Sequence, residues 1–264
     1  MSAHFKDKPE QALSDQQNSS QGVQQKTLLL TGATSGIGDA LCRQYIALGW
    51  KVFACGRNTE KLTLLSGNSS VTSIQLDLND AQQVAERFSS LPSLDLVILN
   101  AGSCEYIDDA KHFDAQLFAR VINTNLIAVG YCLQALLPKI VAGGQLALVG
   151  SSASILPFSR AQAYGASKAG IAYLASSLAI DLQKHQIDVS LIRPGFVKTP
   201  LTDKNDFNMP MCITSEQAAD FIVKGLNKRQ FDIHFPKKFT LILKIIALLP
   251  DSLWRWFSVR TLQK

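Results

Sequence analysis

The sequence predicts a doubly wound α/β domain, in which seven parallel strands form one sheet with helices on both faces. The chain has 264 residues and is 47% hydrophobic, which is enough for one large core. Over residues 26–236, short apolar runs alternate with amphipathic stretches, a pattern that implies right-handed crossovers and a parallel sheet. A glycine-rich turn follows the first apolar run, as expected where such a sheet holds a phosphate-containing ligand.

The predicted elements alternate along this part of the chain. The seven strands are expected at 27–30, 52–55, 71–76, 94–99, 145–149, 188–192 and 231–235. The six helices are expected at 37–48, 60–66, 80–90, 114–142, 162–184 and 215–227.

The two ends of the chain differ from this pattern. Residues 1–25 are rich in glutamine and serine and poor in apolar residues, so we predict a disordered tail. Residues 237–264 are both apolar and basic, and we predict a helical extension there. The chain is thus expected to consist of a tail, one domain over 26–236, and this extension.

The positive charge lies in the extension. From Lys237 onward there are six basic residues and one acid, which accounts for the formal net charge of +5. Because the remainder is neutral, we expect no nucleic-acid partner. Five scattered cysteines without C-x-x-C spacing predict reduced thiols in a cytoplasmic protein, with neither disulfides nor a metal site. We see no signal segment and no apolar run of about 18 residues, so no membrane span is expected.

The glycine-rich turn is the first candidate site. Glycines let the backbone approach a phosphate, and the N-terminus of the following helix supplies free N–H groups and a positive dipole. The spacing is G-x-x-x-G-x-G, which differs from the commonest dinucleotide fingerprint. A purely structural turn is the alternative. The candidate phosphate-binding residues are Gly32, Thr34, Ser35, Gly36, Ile37 and Gly38.

The end of the second strand bears on the choice of cofactor. An acidic residue there would accept hydrogen bonds from the ribose 2′-hydroxyl of NAD(H). This chain has Gly56 followed by Arg57, and a guanidinium suits a 2′-phosphate. The pair favours NADP(H) over NAD(H), with an ordinary surface arginine as the alternative.

Further candidates follow the later strands. Asp77 is placed to accept a hydrogen bond from an adenine amino group, and the small residues of Asn100-Ala101-Gly102 let a ribose lie against the backbone. Thr199, after a turn fixed by Pro194 and Gly195, is placed to bond a carboxamide. Each of these signals is weak alone, since such residues are common in loops.

Tyr164 and Lys168 form the candidate catalytic pair. Positions four apart share one face of a helix, and a neighbouring ammonium lowers the pKa of a phenol. Such a pair exchanges protons with a carbonyl or hydroxyl oxygen. Ser151 is expected at the end of the fifth strand, thirteen residues earlier, although Ser152 and Ser154 are nearby.

Taken together, these motifs resemble the short-chain dehydrogenase/reductase family, in its main single-domain branch, over about residues 26–236. The resemblance implies a Rossmann-type sheet and a homodimer or homotetramer. It implies that Tyr164 is the general acid/base, that Lys168 lowers its pKa and holds the nicotinamide ribose, and that Ser151 steadies the substrate oxygen. It further implies that Asn125, otherwise a solvated residue inside a helix, anchors a water relay. The cofactor contacts it implies include Asn100, Ala101, Gly102, Tyr164, Lys168, Pro194, Gly195, Val197 and Thr199.

The implied reaction is hydride transfer between NADP(H) and a carbonyl or secondary alcohol. The loop 198–214, with Phe207 and three further apolar residues, predicts either a cover over a lipophilic substrate or a segment packed on the core. The alternative function is a catalytically silent NADP(H) sensor or a membrane-surface scaffold. For residues 237–264 we expect either peripheral contact with the inner membrane surface or packing at the substrate entrance or a subunit interface.

Overall fold

A computed structural model describes residues 25–203 and 205–262, excluding the side chains of 261 and 262. Seven parallel strands form one sheet in the order β3-β2-β1-β4-β5-β6-β7, which confirms the predicted fold class. The strands are β1 (Thr27–Thr31), β2 (Lys51–Gly56), β3 (Val71–Gln75), β4 (Leu94–Leu99), β5 (Ile140–Val149), β6 (Asp188–Pro194) and β7 (Asp232–Phe235). The predicted tail, apart from residue 25, lies outside the described residues.

Helices cover both faces of the sheet. They are α1 (Gly36–Ala47), α2 (Thr59–Ser66), α3 (Ala81–Ser89), α4 (Ala115–Ile122), α5 (Ala128–Leu136), α6 (Gln162–Asp181) and α7 (Ser215–Asn227). Two helices follow the sheet, α8 (Lys237–Ile246) and α9 (Asp251–Leu262). The predicted C-terminal helical extension is therefore present.

The alternation of side chains along β1 shows how the core is divided. Leu28 and Leu30 pack into the cluster that contains residues of α1 and α7. Leu29 points to the opposite face and packs into the cluster that contains residues of α3, α5 and α6. Because successive side chains of a strand point to opposite faces, a strand covered on both sides is apolar throughout, as this one is.

The prediction of one helix over 114–142 is wrong in its details. α4 and α5 are separated by a π-helical turn, Asn123–Ile127, and a 3₁₀ turn, Leu137–Lys139, leads into β5 at Ile140. Pro138 lies in that last turn, and Gly143 has a φ of 81°. A proline and a left-handed glycine both disfavour a continuing helix, which is why the strand starts five residues earlier than predicted.

One segment passes a length and composition test for a membrane span. Within the described residues this is Ala115–Lys139, which contains α4 and α5. Its apolar residues Val129, Cys132, Leu133 and Leu136 belong to the core on one face of the sheet. The same composition is therefore explained by burial in the protein's own core.

The strand order reverses at β1, which pairs with β2 on one side and with β4 on the other. In open parallel sheets, ligands bind in the crevice beyond the carboxyl ends of the strands at such a point. The loops that follow β1, β2 and β4 therefore define the region in which a site is expected.

Candidate active site

The turn between β1 and α1 is shaped by three glycines. Gly32 and Gly36 have φ angles of 67° and 54°, in the left-handed region that glycine tolerates best. A Cβ atom on Gly38 would lie 2.0 Å from the carbonyl oxygen of Gly32. Gly38 therefore allows α1 to pack tightly against the turn.

Asn100 ties this turn to the loop after β4. Its side-chain Nδ2 donates to the carbonyl oxygens of Thr31 and Gly32, at 3.0 and 3.3 Å. The Thr31 hydroxyl accepts hydrogen bonds from the backbone N–H groups of Asn100 and Ala101. Hydrogen bonds to the loop after β4 thus fix the conformation of the glycine turn.

A cavity of about 330 Å³ lies beside this turn, at the carboxyl ends of β1, β2 and β4. It brings together most of the predicted cofactor residues: Gly32, Thr34, Ser35, Gly36, Ile37, Arg57, Asp77, Asn100, Ala101, Gly102 and Thr199. Residues that sequence reasoning did not select also line it, among them Thr124 and Leu201. No local motif marks these two positions, because Thr124 reaches the wall from the π-helical turn between α4 and α5 and Leu201 from the segment between β6 and α7.

The cavity wall fits a dinucleotide phosphate ester. Gly56 and Arg57 line it at the end of β2, together with Thr34 and Asn58. A Cβ atom on Gly56 would lie 2.8 Å from Thr34 Cγ2, so a larger residue, such as the acidic one that an NAD(H) site uses, would crowd Thr34. The wall presents hydroxyls, an amide and a guanidinium here, which suits a 2′-phosphate.

Six predicted cofactor residues do not line this cavity: Tyr164 and Lys168, which lie on α6, and Gly38, Pro194, Gly195 and Val197. Gly38 supports the packing of α1. The Val197 side chain is buried in the core, and Val197 forms a bridge with Ile213. Pro194 ends β6, and a Cβ atom on Gly195 would lie 2.9 Å from Phe239 Cδ1, so these two positions contact the end of the sheet and α8.

Tyr164 and Lys168 project from the first turns of α6 as predicted. Lys168 Nζ lies 5.8 Å from the centre of the Tyr164 ring and donates a hydrogen bond to the Val149 carbonyl oxygen at 2.9 Å. Lys168 is buried, whereas Tyr164 keeps part of its surface exposed. The last residue of β5 therefore fixes the ammonium next to the phenol.

Ser151 is the serine that faces Tyr164. It lies two residues beyond the end of β5, and a side-chain hydrogen bond between the two hydroxyl groups lowers the pKa of Tyr164. Ser151 Oγ also accepts from the backbone N–H of Ala153 at 3.1 Å. Ser154 instead donates to the Ser151 carbonyl oxygen. The structure thus favours Ser151 over its neighbours.

Burial controls the pKa values of the pair. Burial, with a smaller contribution from nearby Cys104, raises the pKa of Tyr164 to about 12. Burial also lowers the pKa of Lys168 to about 8. We expected the ammonium to lower the pKa of the phenol, but in the protein alone the loss of solvent outweighs such an effect. Near pH 7 the tyrosine is therefore protonated and the lysine is mostly charged.

Asn125 lies in the π-helical turn and is buried, so the expectation of a solvated residue is wrong. Its side-chain amide bonds the backbone of Ser103 through both atoms, at 2.7 and 2.8 Å, and donates to Ser167 Oγ at 3.0 Å. A Cβ atom on Gly102 would lie 3.1 Å from Asn125 Oδ1 and 3.4 Å from Lys168 Nζ. Asn125 therefore positions the loop that joins the cavity wall to Lys168.

An aromatic wall adjoins the catalytic pair. Tyr106, whose own pKa is raised by burial and by its neighbours Cys104 and Tyr164, packs edge-on against Phe207 with ring centres 5.8 Å apart. Phe207 contacts Phe196, which in turn contacts Phe239 of α8. The loop containing Phe207 thus lies beside the catalytic pair, and its role as a cover over a lipophilic substrate stays a prediction.

Arg160 joins three loops around this wall. Its guanidinium lies 5.4 Å from the centre of the Tyr106 ring and forms ion pairs with Asp108 and Asp206. The Tyr106 hydroxyl donates to Asn205 Oδ1 at 3.0 Å. Neither Tyr106 nor Arg160 was selected from the sequence, because no motif links residues so far apart along the chain.

The C-terminal helices pack on the loops beside the site. Trp254 Nε1 donates to the Pro157 carbonyl oxygen at 2.7 Å, and its ring contacts Phe158 edge-on. Lys244 Nζ of α8 bonds Asp232 at 2.5 Å. Of the arrangements expected for the extension, the structure shows this contact with the loop that follows Ser151.

Comparisons with known proteins agree with this geometry. A profile described as short chain dehydrogenase matches residues 26–209. An uncharacterized oxidoreductase of Myxococcus xanthus is 32% identical over 240 residues, which cover 87% of this chain and 94% of that protein.

Two further relatives carry the name of a reaction. The NADP-dependent 3-hydroxy acid dehydrogenase YdfG of Escherichia coli K12 is 32% identical over 178 residues, which cover 64% of this chain and 72% of that protein. A solved structure of serine dehydrogenase complexed with NADP+ superposes with a TM-score of 0.71 at 27% identity, covering 78% of this chain and 93% of that one.

Proposed function

Because this chain belongs to the short chain dehydrogenase family, we propose that it is an NADP(H)-dependent oxidoreductase that interconverts a carbonyl and a secondary alcohol by hydride transfer. The observation that carries the proposal is the geometry of three side chains: Ser151 hydrogen-bonds Tyr164, and Lys168 Nζ lies near the Tyr164 ring. Lys168 Nζ also lies next to Gly102, which lines the cavity beside the glycine turn. In this proposal, residues 26–236 form the catalytic domain and residues 237–264 form an extension.

Three observations support NADP(H) as the cofactor. Arg57 lines the cavity, and Gly56 leaves no acidic side chain at the position that would repel a 2′-phosphate. The names of two relatives specify NADP. When bound, the cofactor supplies or accepts the hydride.

The chain's own residues hold and move the proton. Tyr164, protonated at neutral pH, donates its proton to the carbonyl oxygen as the alcohol forms, and Ser151 hydrogen-bonds the same oxygen. Lys168, kept in place by the Val149 carbonyl, stabilises the phenolate that remains and binds a ribose hydroxyl. Asn125 holds the loop that contains Gly102 next to Lys168, and it contributes to the path that returns a proton.

The substrate of this proposal is lipophilic. Tyr106, Phe207 and Phe196 supply an apolar wall beside the catalytic hydroxyl. Arg160, which lies over Tyr106, already binds two carboxylates and is therefore not available for a substrate carboxylate. The second candidate is a small hydroxy acid, since one relative is named a 3-hydroxy acid dehydrogenase and another a serine dehydrogenase.

We further propose that the protein forms a homodimer or homotetramer in the cytoplasm. Tyr173 and Ile180 of α6 are 80% and 75% exposed in the single chain, and they lie seven residues apart on one face of the helix. An exposed apolar face of this kind suits a second copy of the chain. The molar mass in solution, measured by light scattering, tests this part.

The test is a substrate screen that follows NADPH absorbance, with NADH in parallel. The panel contains medium-chain ketones and, for the reverse reaction, secondary alcohols, 3-hydroxybutyrate and serine. We expect the highest kcat/KM with an apolar ketone and NADPH. A preference for the hydroxy acids would overturn the lipophilic assignment alone. A preference for NADH would overturn the role of Arg57, and absence of turnover on every substrate would count against the enzyme.

A further inference from the structure

The helices α8 and α9 expose an unusual amount of apolar surface. Ile242, Ile245, Leu248 and Leu249 of α8 and the turn after it are between 49% and 84% exposed, and Leu253 of α9 is 51% exposed. We propose that this pair of helices is a docking surface for an anionic lipid bilayer. The proposal goes beyond the reaction proposed above and does not depend on it.

The opposite face of the pair is already bound to the domain. Thr240 is completely buried and its Oγ1 lies 2.6 Å from His234 Nδ1, and Leu243 is also buried. Trp254 binds the Pro157 carbonyl oxygen. The spacing of positions 242 and 245 along α8 places their side chains on the helix face away from Thr240 and Leu243. The exposed apolar residues are therefore held outward.

Charge decides which partner suits this surface. Lys237, Lys238, Arg255 and Arg260 are exposed, whereas Lys244 forms an ion pair with Asp232, which it shares with Arg193. A second copy of the chain on the same face would bring these bases against each other. Anionic headgroups attract them instead, at about 1 kcal/mol for each base near the surface.

The aromatic content fits the boundary between lipid and water. Trp256 is 55% exposed, and the guanidinium of Arg260 lies 3.8 Å from the centre of its ring. Tryptophan is enriched at this boundary, where its ring is apolar and its N–H remains hydrated. The apolar ring of Trp256 and the cationic guanidinium of Arg260 therefore lie side by side on α9.

The lengths of the helices define the mode of contact. α8 has 10 residues and α9 has 12, whereas a helix needs about 20 apolar residues to cross a bilayer. A break at Pro250 separates them. We therefore infer that both helices lie in the plane of the membrane interface.

The location of the surface links it to the active site. Phe239 of α8 contacts Phe196, which contacts Phe207 of the aromatic wall. Trp254 of α9 covers the loop that follows Ser151. A chain docked through these helices would hold its apolar wall next to the lipid phase.

The experiment is flotation of the full-length protein with vesicles of phosphatidylcholine alone or mixed with phosphatidylglycerol. We expect the protein to float with the mixed vesicles, and less so when salt is raised. The double variant Ile245→Glu/Leu248→Glu should reduce flotation at least roughly tenfold. Leu64→Glu is the matched control, because Leu64 is 80% exposed on α2 and should leave flotation unchanged.

Thermal melting and NADPH binding verify that each variant is folded. If the double variant fails to fold, Lys238→Glu/Arg255→Glu changes charge alone at two exposed positions and should also reduce flotation. Failure of the wild-type protein to float, or equal flotation of all folded variants, would overturn the proposal. So would a lipid-free oligomer that Ile245→Glu/Leu248→Glu dissociates, since the surface would then bind a second copy.

Discussion

The ammonium group of Lys168 lies 5.8 Å from the centre of the Tyr164 ring, one helical turn away. Both groups are shifted toward their uncharged forms by burial, in opposite directions on the pH scale. At neutral pH the site therefore contains a phenol that is ready to donate a proton and a lysine that still carries most of its charge. This state suits carbonyl reduction better than alcohol oxidation.

Replacing Tyr164 by Phe removes the hydroxyl and keeps the ring. We expect kcat to fall roughly 10²- to 10⁴-fold, which is the usual contribution of general acid–base catalysis. Binding of NADPH, measured by calorimetric titration, should stay within a few-fold of wild type. Unchanged turnover in this variant would show that another group supplies the proton.

The pH dependence of the reaction follows from the two pKa values. Lys168 loses its charge as pH rises through about 8, while Tyr164 stays protonated up to about 12. We expect kcat/KM for carbonyl reduction to be constant below this range and to decline above it, whereas alcohol oxidation should increase with pH. In Lys168→Arg the charge persists, so the residual activity should lack the decline near pH 8. A decline that survives in this variant would assign it to another group.

Replacing Arg57 by Ala tests the discrimination between cofactors. We expect KM for NADPH to rise roughly 10- to 100-fold, because hydrogen bonds to a charged group are lost. KM for NADH should not change. Arg87→Ala, an exposed arginine in the last turn of α3, is the control and should affect neither cofactor. An equal loss with NADPH and NADH would mean that Arg57 supports the fold of the cavity and does not read the phosphate.

Two glycines offer a matched comparison of structural roles. In Gly38→Ala the new Cβ would lie 2.0 Å from the Gly32 carbonyl oxygen, so the turn must shift. We expect a loss of about 1–3 kcal/mol in the free energy of unfolding, together with weaker NADPH binding. Gly130→Ala, in α5, meets nothing within 4 Å and should gain about 0.5–1 kcal/mol. Denaturant titration of both variants measures the difference, and equal effects would contradict the packing argument.

The sequence was sufficient to predict the strands and most of the cavity. Periodicity located all seven strands, since each buried run is bounded by a polar turn, but it could not separate Ile140 from the preceding helix. Motif spacing selected Tyr164, Lys168 and Ser151, because family motifs are local in sequence. The aromatic wall and Arg160 depend on contacts across up to about a hundred residues, and no local pattern encodes them.

Conversely, a motif does not say which way a side chain points or how deeply it is buried. Val197 lies within the expected motif, yet its side chain enters the core. Asn125 is buried and its carboxamide bonds Ser103 and Ser167, which its position in the sequence does not reveal. The pKa of Tyr164 depends on burial, which the spacing to Lys168 cannot reveal.

The contacts of Arg160 have a consequence for how ligands enter and leave the site. One guanidinium connects the segment after β4, the segment before α6 and the loop that contains Phe207. These three pieces of chain are therefore expected to separate in a single concerted event and not one by one. Amide hydrogens in all three should then exchange with deuterium at a common rate, and that shared opening rate would set the upper bound on product release.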